Sequence, residues 1–159
     1  MSLSENMHRY SVTIVEDDPE TLDHLVRTLA RLEFLHVVQT ARSYSDAQRY
    51  LSQQATDILL TDLGLPDGSG IDLIRSTFTA NPNTLILVLS AFGDEQNVIS
   101  AIMAGAKGYL LKSDTSQEIS AGLKQLIDGG SPISAAIARY LLVQLRSRSS
   151  LPFEVYFVV

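Results

Sequence analysis

Along this chain, short apolar runs alternate with longer stretches in which apolar residues recur at helical spacing. Ser11 to Glu16 is a short β-branched run and predicts a buried strand. Asp18-Pro19-Glu20 follows as a helix start, with Asp18 as N-cap and Pro19 at the first helical position. Leu22, Leu25, Val26, Leu29 and Leu32 then share one face. Phe34 to Thr40 predicts a second strand, and Ser43 to Gln54 a helix with a weaker face of Tyr44, Ala47, Tyr50 and Leu51. Asp57 to Thr61 is the third strand, and Gly70 to Phe78 a helix presenting Ile71, Ile74 and Phe78. Thr84 to Leu89 is apolar after its first residue, as expected of a central strand covered on both faces. Val98, Ile99, Ile102 and Met103 mark a fourth helix ended by Gly105, and Gly108 to Leu111 a fifth strand. Thr115 and Glu118 form a capping box before Ile119, Leu123, Leu126 and Ile127, and Gly129-Gly130 stops that helix.

Such alternation calls for an α/β fold, a parallel sheet with helices on both faces. Ser131 onward leaves the pattern: Ile133, Ile137, Tyr140, Leu141 and Leu145 predict one more amphipathic helix, as an extension or the start of a linker. Arg146-Ser147-Arg148-Ser149-Ser150 reads as a flexible junction. The last residues, Leu151 to Val159, are apolar for a chain end, and a cloning or frameshift tail and a native strand both stay open.

Composition narrows the class. A chain of 159 residues with 45% hydrophobic and 19% charged residues suits one globular domain. The net charge of −6 argues against a nucleic-acid-binding surface, which needs a basic stripe. The absence of Cys fits a reducing cytoplasm. No apolar stretch approaches the roughly 20 residues needed to span a bilayer. The first residues lack the basic start and apolar stretch of a signal peptide.

The candidate chemistry lies where strands end. Glu16-Asp17 closes the first strand, Asp62 follows the third, Ser90 the fourth and Lys112 the fifth. Taken singly each has an ordinary reading: a helix cap for Glu16-Asp17, a turn residue for Asp62 before Leu63-Gly64-Leu65-Pro66, a strand end for Ser90, a solvated Lys112. Together they fall on one edge of successive parallel strands, where open α/β sheets bind ligands. Three neighbouring carboxylates repel unless a divalent cation lies between them. That combination suits a magnesium-assisted phosphoacceptor, with an aspartate nucleophile and a lysine and a hydroxyl for the phosphoryl oxygens.

The order Glu16-Asp17, Asp62, Ser90, Lys112 resembles the receiver domain of two-component response regulators. The stretches Asp62-Leu63-Gly64-Leu65-Pro66-Asp67-Gly68-Ser69-Gly70 and Ala104-Gly105-Ala106-Lys107-Gly108-Tyr109-Leu110-Leu111-Lys112 are similar to its NarL/LuxR-type branch. The resemblance covers about residues 9 to 130, with 131–148 as linker start and 149–159 as a tail of unknown role. It implies a flavodoxin-like (βα)5 doubly wound parallel sheet with strand order 2-1-3-4-5. It further implies that Asp62 is phosphorylated by a sensor histidine kinase, and that Mg²⁺ is held by Glu16, Asp17, Asp62 and the backbone carbonyl of Gly64. Ser90 and Tyr109 would be the switch pair and Lys112 a phosphoryl contact, with Gly64 and Phe92 tuning water access. The module would promote its own phosphorylation and dephosphorylation at Asp62 without being an enzyme otherwise. Phosphorylation would alter a surface between Asp94 and Asp128, for a homodimer or an output domain. A DNA-binding helix-turn-helix domain is expected in this branch and nothing here resembles one, so an excised receiver is expected over a stand-alone one. Glu16 stands where the family often has Asp, Ser90 where it often has Thr, and Ser113 where Pro is frequent.

Three other classes compete. Phosphatases of the haloacid dehalogenase type need a carboxylate two residues after the nucleophile, and that position is Gly64. A phosphorylation-independent receiver-like interaction module would have lost some of the acids or the lysine. A nucleotide-binding flavodoxin-like protein needs a Gly-rich phosphate loop after the first strand, where Glu16-Asp17-Asp18 would repel a phosphate.

Overall fold

The computed structural model describes residues 8–91 and 95–147. Five parallel strands, β1 (Tyr10–Val15), β2 (Leu35–Ala41), β3 (Ile58–Thr61), β4 (Leu85–Ser90) and β5 (Gly108–Leu111), stand in the order β2-β1-β3-β4-β5. The helices joining them are α1 (Pro19–Ala30), α2 (Tyr44–Gln53), α3 (Gly70–Ala80) and α4 (Val98–Ala104); α5 (Ser116–Ile127) and α6 (Ala135–Ser147) follow β5. The flavodoxin-like architecture and the strand order are those expected.

Alternation along the strands divides the core into two layers. Val12, Ile14, Ile58, Leu60, Leu87, Leu89 and Leu110 bury against Leu25 and Leu29 of α1 and Ile119, Leu123 and Leu126 of α5. Leu59, Ile86, Val88, Tyr109 and Leu111 share the opposite layer with α2, α3, α4 and Ile137 of α6. Every residue of β3 and β5 is buried, so these strands carry no polar face.

The helix starts follow their sequence signals. Asp18 caps α1, accepting from the Thr21 amide at 3.0 Å and its hydroxyl at 2.6 Å. Those two bonds hold the exposed Asp18 carboxyl below its usual pKa. Thr115 and Glu118 close the capping box of α5 in both directions. Gly105 ends α4 at φ 132° and lies under the Phe78 ring, where a side chain would meet Phe78 Cγ at 2.6 Å.

Three helical faces differ from the pattern. In α4, Val98, Ala101 and Ala104 are buried while Ile102 and Met103 are exposed, Met103 to 81%. Small residues let α4 sit close against α3, and the larger side chains turn outward. In α3, Leu73, Ile74 and Thr77 face inward, and Phe78 is 36% exposed over Gly105. In α6, Ile137 is fully buried whereas Leu145 is 56% exposed.

Two features were absent from the pattern. Gly64–Leu65 and Gly68–Ser69 pair as a short antiparallel ribbon directly after Asp62. Beyond α5 the chain runs back along the outer edge of β5: the Tyr109 amide donates to the Pro132 carbonyl at 2.9 Å, and the Ser134 amide to the Tyr109 carbonyl at 3.1 Å.

Candidate functional site at the carboxyl edge of the sheet

Parallel register assembles the site. Val15 pairs with Thr61, Thr61 with Val88, and Ser90 with Leu111, so the residues that follow emerge side by side. The ladder continues past the strands: the Glu16 amide donates to the Ala41 carbonyl, that of Asp62 to Val15, and that of Lys112 to Ser90, at 2.9, 3.0 and 2.8 Å. The chain leaves β1 for β2 on one side and reaches β3 on the other. The acids therefore stand at the crevice where the winding reverses.

Glu16, Asp17 and Asp62 each offer a carboxylate oxygen, and these three oxygens lie within 4.8 Å of one another. Lys112 Nζ reaches Asp62 Oδ2 at 2.8 Å and Glu16 Oε1 at 2.5 Å. Asp62 Oδ1 accepts from the Leu63 amide at 2.7 Å, which fixes the carboxylate plane. Glu16 is 1% exposed, and neither of its oxygens has an aligned hydrogen bond among the described residues. Its contact with Lys112 is a short-range ion pair. One ammonium thus serves two carboxylates.

The electrostatics follow. Burial raises the Glu16 carboxyl to a pKa of about 7, with the Asp62 charge adding to it and Lys112 opposing. For Lys112, burial pulls the ammonium down. Bonds to Asp62 and Glu16 and the charges of both outweigh that, so its pKa lies above the ordinary lysine value. A buried carboxylate that shares its one cation with a second acid, with a third acid beside it, suits a hard divalent cation, and an all-oxygen donor set suits Mg²⁺.

Ser90 is fully buried, and among the described residues its hydroxyl reaches the Ala91 carbonyl, at 3.5 Å. Tyr109 is fully buried in the α3/α4 layer, so its ring is turned inward. Gly64 is exposed on the ribbon with open space beside it. Phe92 lies outside the described residues, as does the start of the Asp94–Asp128 surface. Two residues that the pattern did not single out also border the site. Arg42 Nε donates to the Asp17 carbonyl at 3.3 Å, and Asp67 accepts from the Tyr44 and Ser45 amides. Arg42 carries no sequence signal, and Asp67 reads as one more turn residue between Pro66 and Gly68.

A five-stranded flavodoxin-like sheet with acids and a lysine at its carboxyl edge is the architecture of a receiver module. The chain belongs to the response regulator receiver domain family, whose sequence profile it matches over residues 12–124. It is 35% identical over 106 residues to the response regulator protein PilR of Pseudomonas aeruginosa, covering 67% of this chain and 23% of PilR. It is 32% identical over 149 residues to the transcriptional regulatory protein YhcZ of Bacillus subtilis, covering 91% of this chain and 67% of YhcZ. A LuxR-family two-component response regulator from Aurantimonas sp. superposes with a TM-score of 0.79 at 25% identity, over 86% of this chain and 97% of that structure. The chain therefore spans under a quarter of PilR and about two thirds of YhcZ. No helix among the described residues is long and apolar enough to cross a membrane.

Proposed function

We propose that Asp62 accepts a phosphoryl group from a sensor histidine kinase in the cytoplasm and that this switches a surface used for dimerisation or for an output domain. The observation that carries the reading is the meeting of three carboxylate oxygens within 4.8 Å, with Lys112 Nζ 2.8 Å from Asp62. In this reading an Asp62 oxygen attacks the phosphorus, the bond to the donor nitrogen breaks, and an acyl phosphate forms. The Lys112 ammonium and the Ser90 hydroxyl donate to the phosphoryl oxygens. Glu16, Asp17, Asp62 and the Gly64 carbonyl would hold Mg²⁺, which when bound neutralises charge on the transferring group. Hydrolysis of the acyl phosphate, with Gly64 and Phe92 limiting water access, resets the module.

Ser90 and Tyr109 are the switch pair in this reading. The hydroxyl moves to the phosphoryl group and the inward position of the tyrosine ring is stabilised behind it. Residues 9–130 would be the receiver and 131–148 a helical extension or the start of a linker. The name of YhcZ, a transcriptional regulatory protein, and that of DevR/DosR of Mycobacterium tuberculosis, a DNA-binding transcriptional activator, support control of transcription through a DNA-binding output domain in a longer protein. The acidic receiver would make no direct nucleic-acid contact.

Intact mass after incubation with acetyl phosphate, with and without Mg²⁺, tests this. The expected result is one phosphoryl addition that requires both Mg²⁺ and Asp62 and is lost in Asp62→Asn. No addition to a folded chain would overturn the reading in favour of a phosphorylation-independent interaction module.

A further inference from the structure

Ser134 stands immediately before α6, where a serine hydroxyl ordinarily accepts from the second or third amide of the helix it starts. α1, α2, α3 and α5 are capped in that way, with Asp18 serving Thr21, Ser43 serving Asp46, Ser69 serving Ile71 and Thr115 serving Glu118. The Ser134 carbonyl does take the Ala138 amide, at 2.9 Å, as that of a cap residue should. The hydroxyl faces the other way. It accepts from the Leu111 amide at 3.2 Å and donates to Asp114 Oδ2. Among the described residues it makes no bond to the Ala136 or Ile137 amide. The start of α6 therefore goes without this cap although the residue for it is in place.

What holds the hydroxyl is the turn that carries Lys112. Asp114 closes that turn: its amide donates to the Leu111 carbonyl at 3.0 Å, and its Oδ2 accepts from the Leu111 amide at 3.2 Å. Between those two residues, the Lys112 amide donates to the Ser90 carbonyl at 2.8 Å, and the Lys112 ammonium is divided between Asp62 and Glu16. One short turn thus links the cation of the acidic site to the first residue of α6. The helix is also seated in the core, since Ile137 is fully buried in the layer that holds Tyr109. A shift of the Lys112 turn is therefore felt first at Ser134, where the bond is between side chains, before the packed part of α6 moves.

We propose that the Asp114–Ser134 bond is a latch that passes the state of Asp62 to α6: closed, it withholds the Ser134 hydroxyl from its own helix, and opened, it lets Ser134 cap that helix. This rests on the reading of Asp62 as the phosphoacceptor. On transfer the Lys112 ammonium follows the phosphoryl oxygens, the turn moves with it, and Asp114 parts from Ser134. The hydroxyl then turns to the amides of Ala136 and Ile137. Its two positions, toward β5 and over α6, give the device two discrete arrangements that a distant site can bias. α6 is the element by which the chain leaves the sheet, so its order is a natural thing to regulate. A bond that merely sealed the strand edge would add stability and leave the start of α6 indifferent to Asp62.

The test is residue-resolved amide hydrogen exchange on the full chain, with and without acetyl phosphate and Mg²⁺, in wild type, Asp114→Ala, Asp114→Asn and Ser134→Ala. Intact mass reports phosphoryl addition in each, and the amides of β3 gauge global opening. In wild type, phosphorylation should slow exchange at Ala136 and Ile137 about fivefold, the worth of one cap. Asp114→Ala should show the slow rate already without a phosphoryl group, because removing the acceptor frees Ser134. Asp114→Asn keeps an acceptor oxygen but loses the charge; its rate should lie between, and it serves if the alanine variant does not fold. Ser134→Ala should still take the phosphoryl group and exchange fast in both states. If wild type is phosphorylated and these amides do not respond, or if neither Asp114 variant slows them, the latch is overturned and the phosphoacceptor stands. If the folded wild type takes no phosphoryl group, the reading of Asp62 falls and the relay with it, while the Asp114 variants still show whether Ser134 is withheld from α6.

Discussion

The two ends of the same sheet are built on opposite terms. At the amino ends of the strands, polar groups interlock. The Ser11 amide donates to Asp57 Oδ2, the Asp57 amide to the Ser11 hydroxyl, the Thr56 hydroxyl to the Ser11 carbonyl and the Thr84 hydroxyl to the Thr56 carbonyl. At the carboxyl ends, Glu16 is buried with no aligned hydrogen bond to its oxygens among the described residues, and one lysine is divided between two acids. A recess between α2 and α3, lined by Leu51, Leu73 and Thr77, opens near Thr56 and Thr84 at the quiet end. Chemistry resides where polar groups are left underserved, because satisfied groups have nothing to offer a ligand.

Substitutions at the two ends should separate accordingly. The largest effect is expected for Lys112→Met, which leaves Glu16 and Asp62 facing each other without a cation. Urea unfolding at pH 8 without metal should show a loss of about 2–3 kcal/mol, below the roughly 3–5 kcal/mol of a fully buried pair because Lys112 is 25% exposed. A neutral or stabilising result would mean that the acidic end is not strained, and the contrast would fail. At the other end, Thr84→Val removes one buried hydroxyl and should cost about 1 kcal/mol. Phosphoryl incorporation should be unchanged by it; a change would mean that the two ends are coupled.

The smallest effect is a slope in pH. Folded Glu16 keeps its proton up to about pH 7, against a reference carboxyl value of 4.5. Between those values the folded state binds more protons than the unfolded one, so the Glu16 contribution to stability falls as pH rises. Metal-free wild type should thus lose stability from pH 5.5 to pH 7.5 relative to Glu16→Gln, followed by thermal unfolding. Parallel curves for the two proteins would remove Glu16 from the account.

The fold was legible because its signals were local. Asp18-Pro19 and the Thr115/Glu118 box start helices, and apolar runs of the lengths seen at Ile58–Thr61 and Leu85–Ser90 make buried strands. The convergence of Glu16, Asp62 and Lys112 was legible too, since parallel strands of equal register bring their last residues to one edge. What escaped depends on contacts between distant parts of the chain. Asp67 satisfying α2, Arg42 reaching Asp17, and alanines taking the buried positions of α4 from Ile102 and Met103 are decided by neighbours that periodicity does not record.

The return of Pro132–Ser134 along β5 bears on how the sheet avoids self-association. An outermost strand exposes a row of amides and carbonyls that can template pairing with another chain. On β5 the outward amide of Tyr109 is taken by Pro132, and that of Leu111 by the side chains of Asp114 and Ser134. Ser134 also donates to Asp114, which locks the two acceptors together. The segment that reads as the start of a linker is thus also a guard on an adhesive margin. A version shortened at Gly130, where the helical pattern stops, would bare that margin beside the buried Tyr109, whereas one ending after Ile137 would keep it sealed.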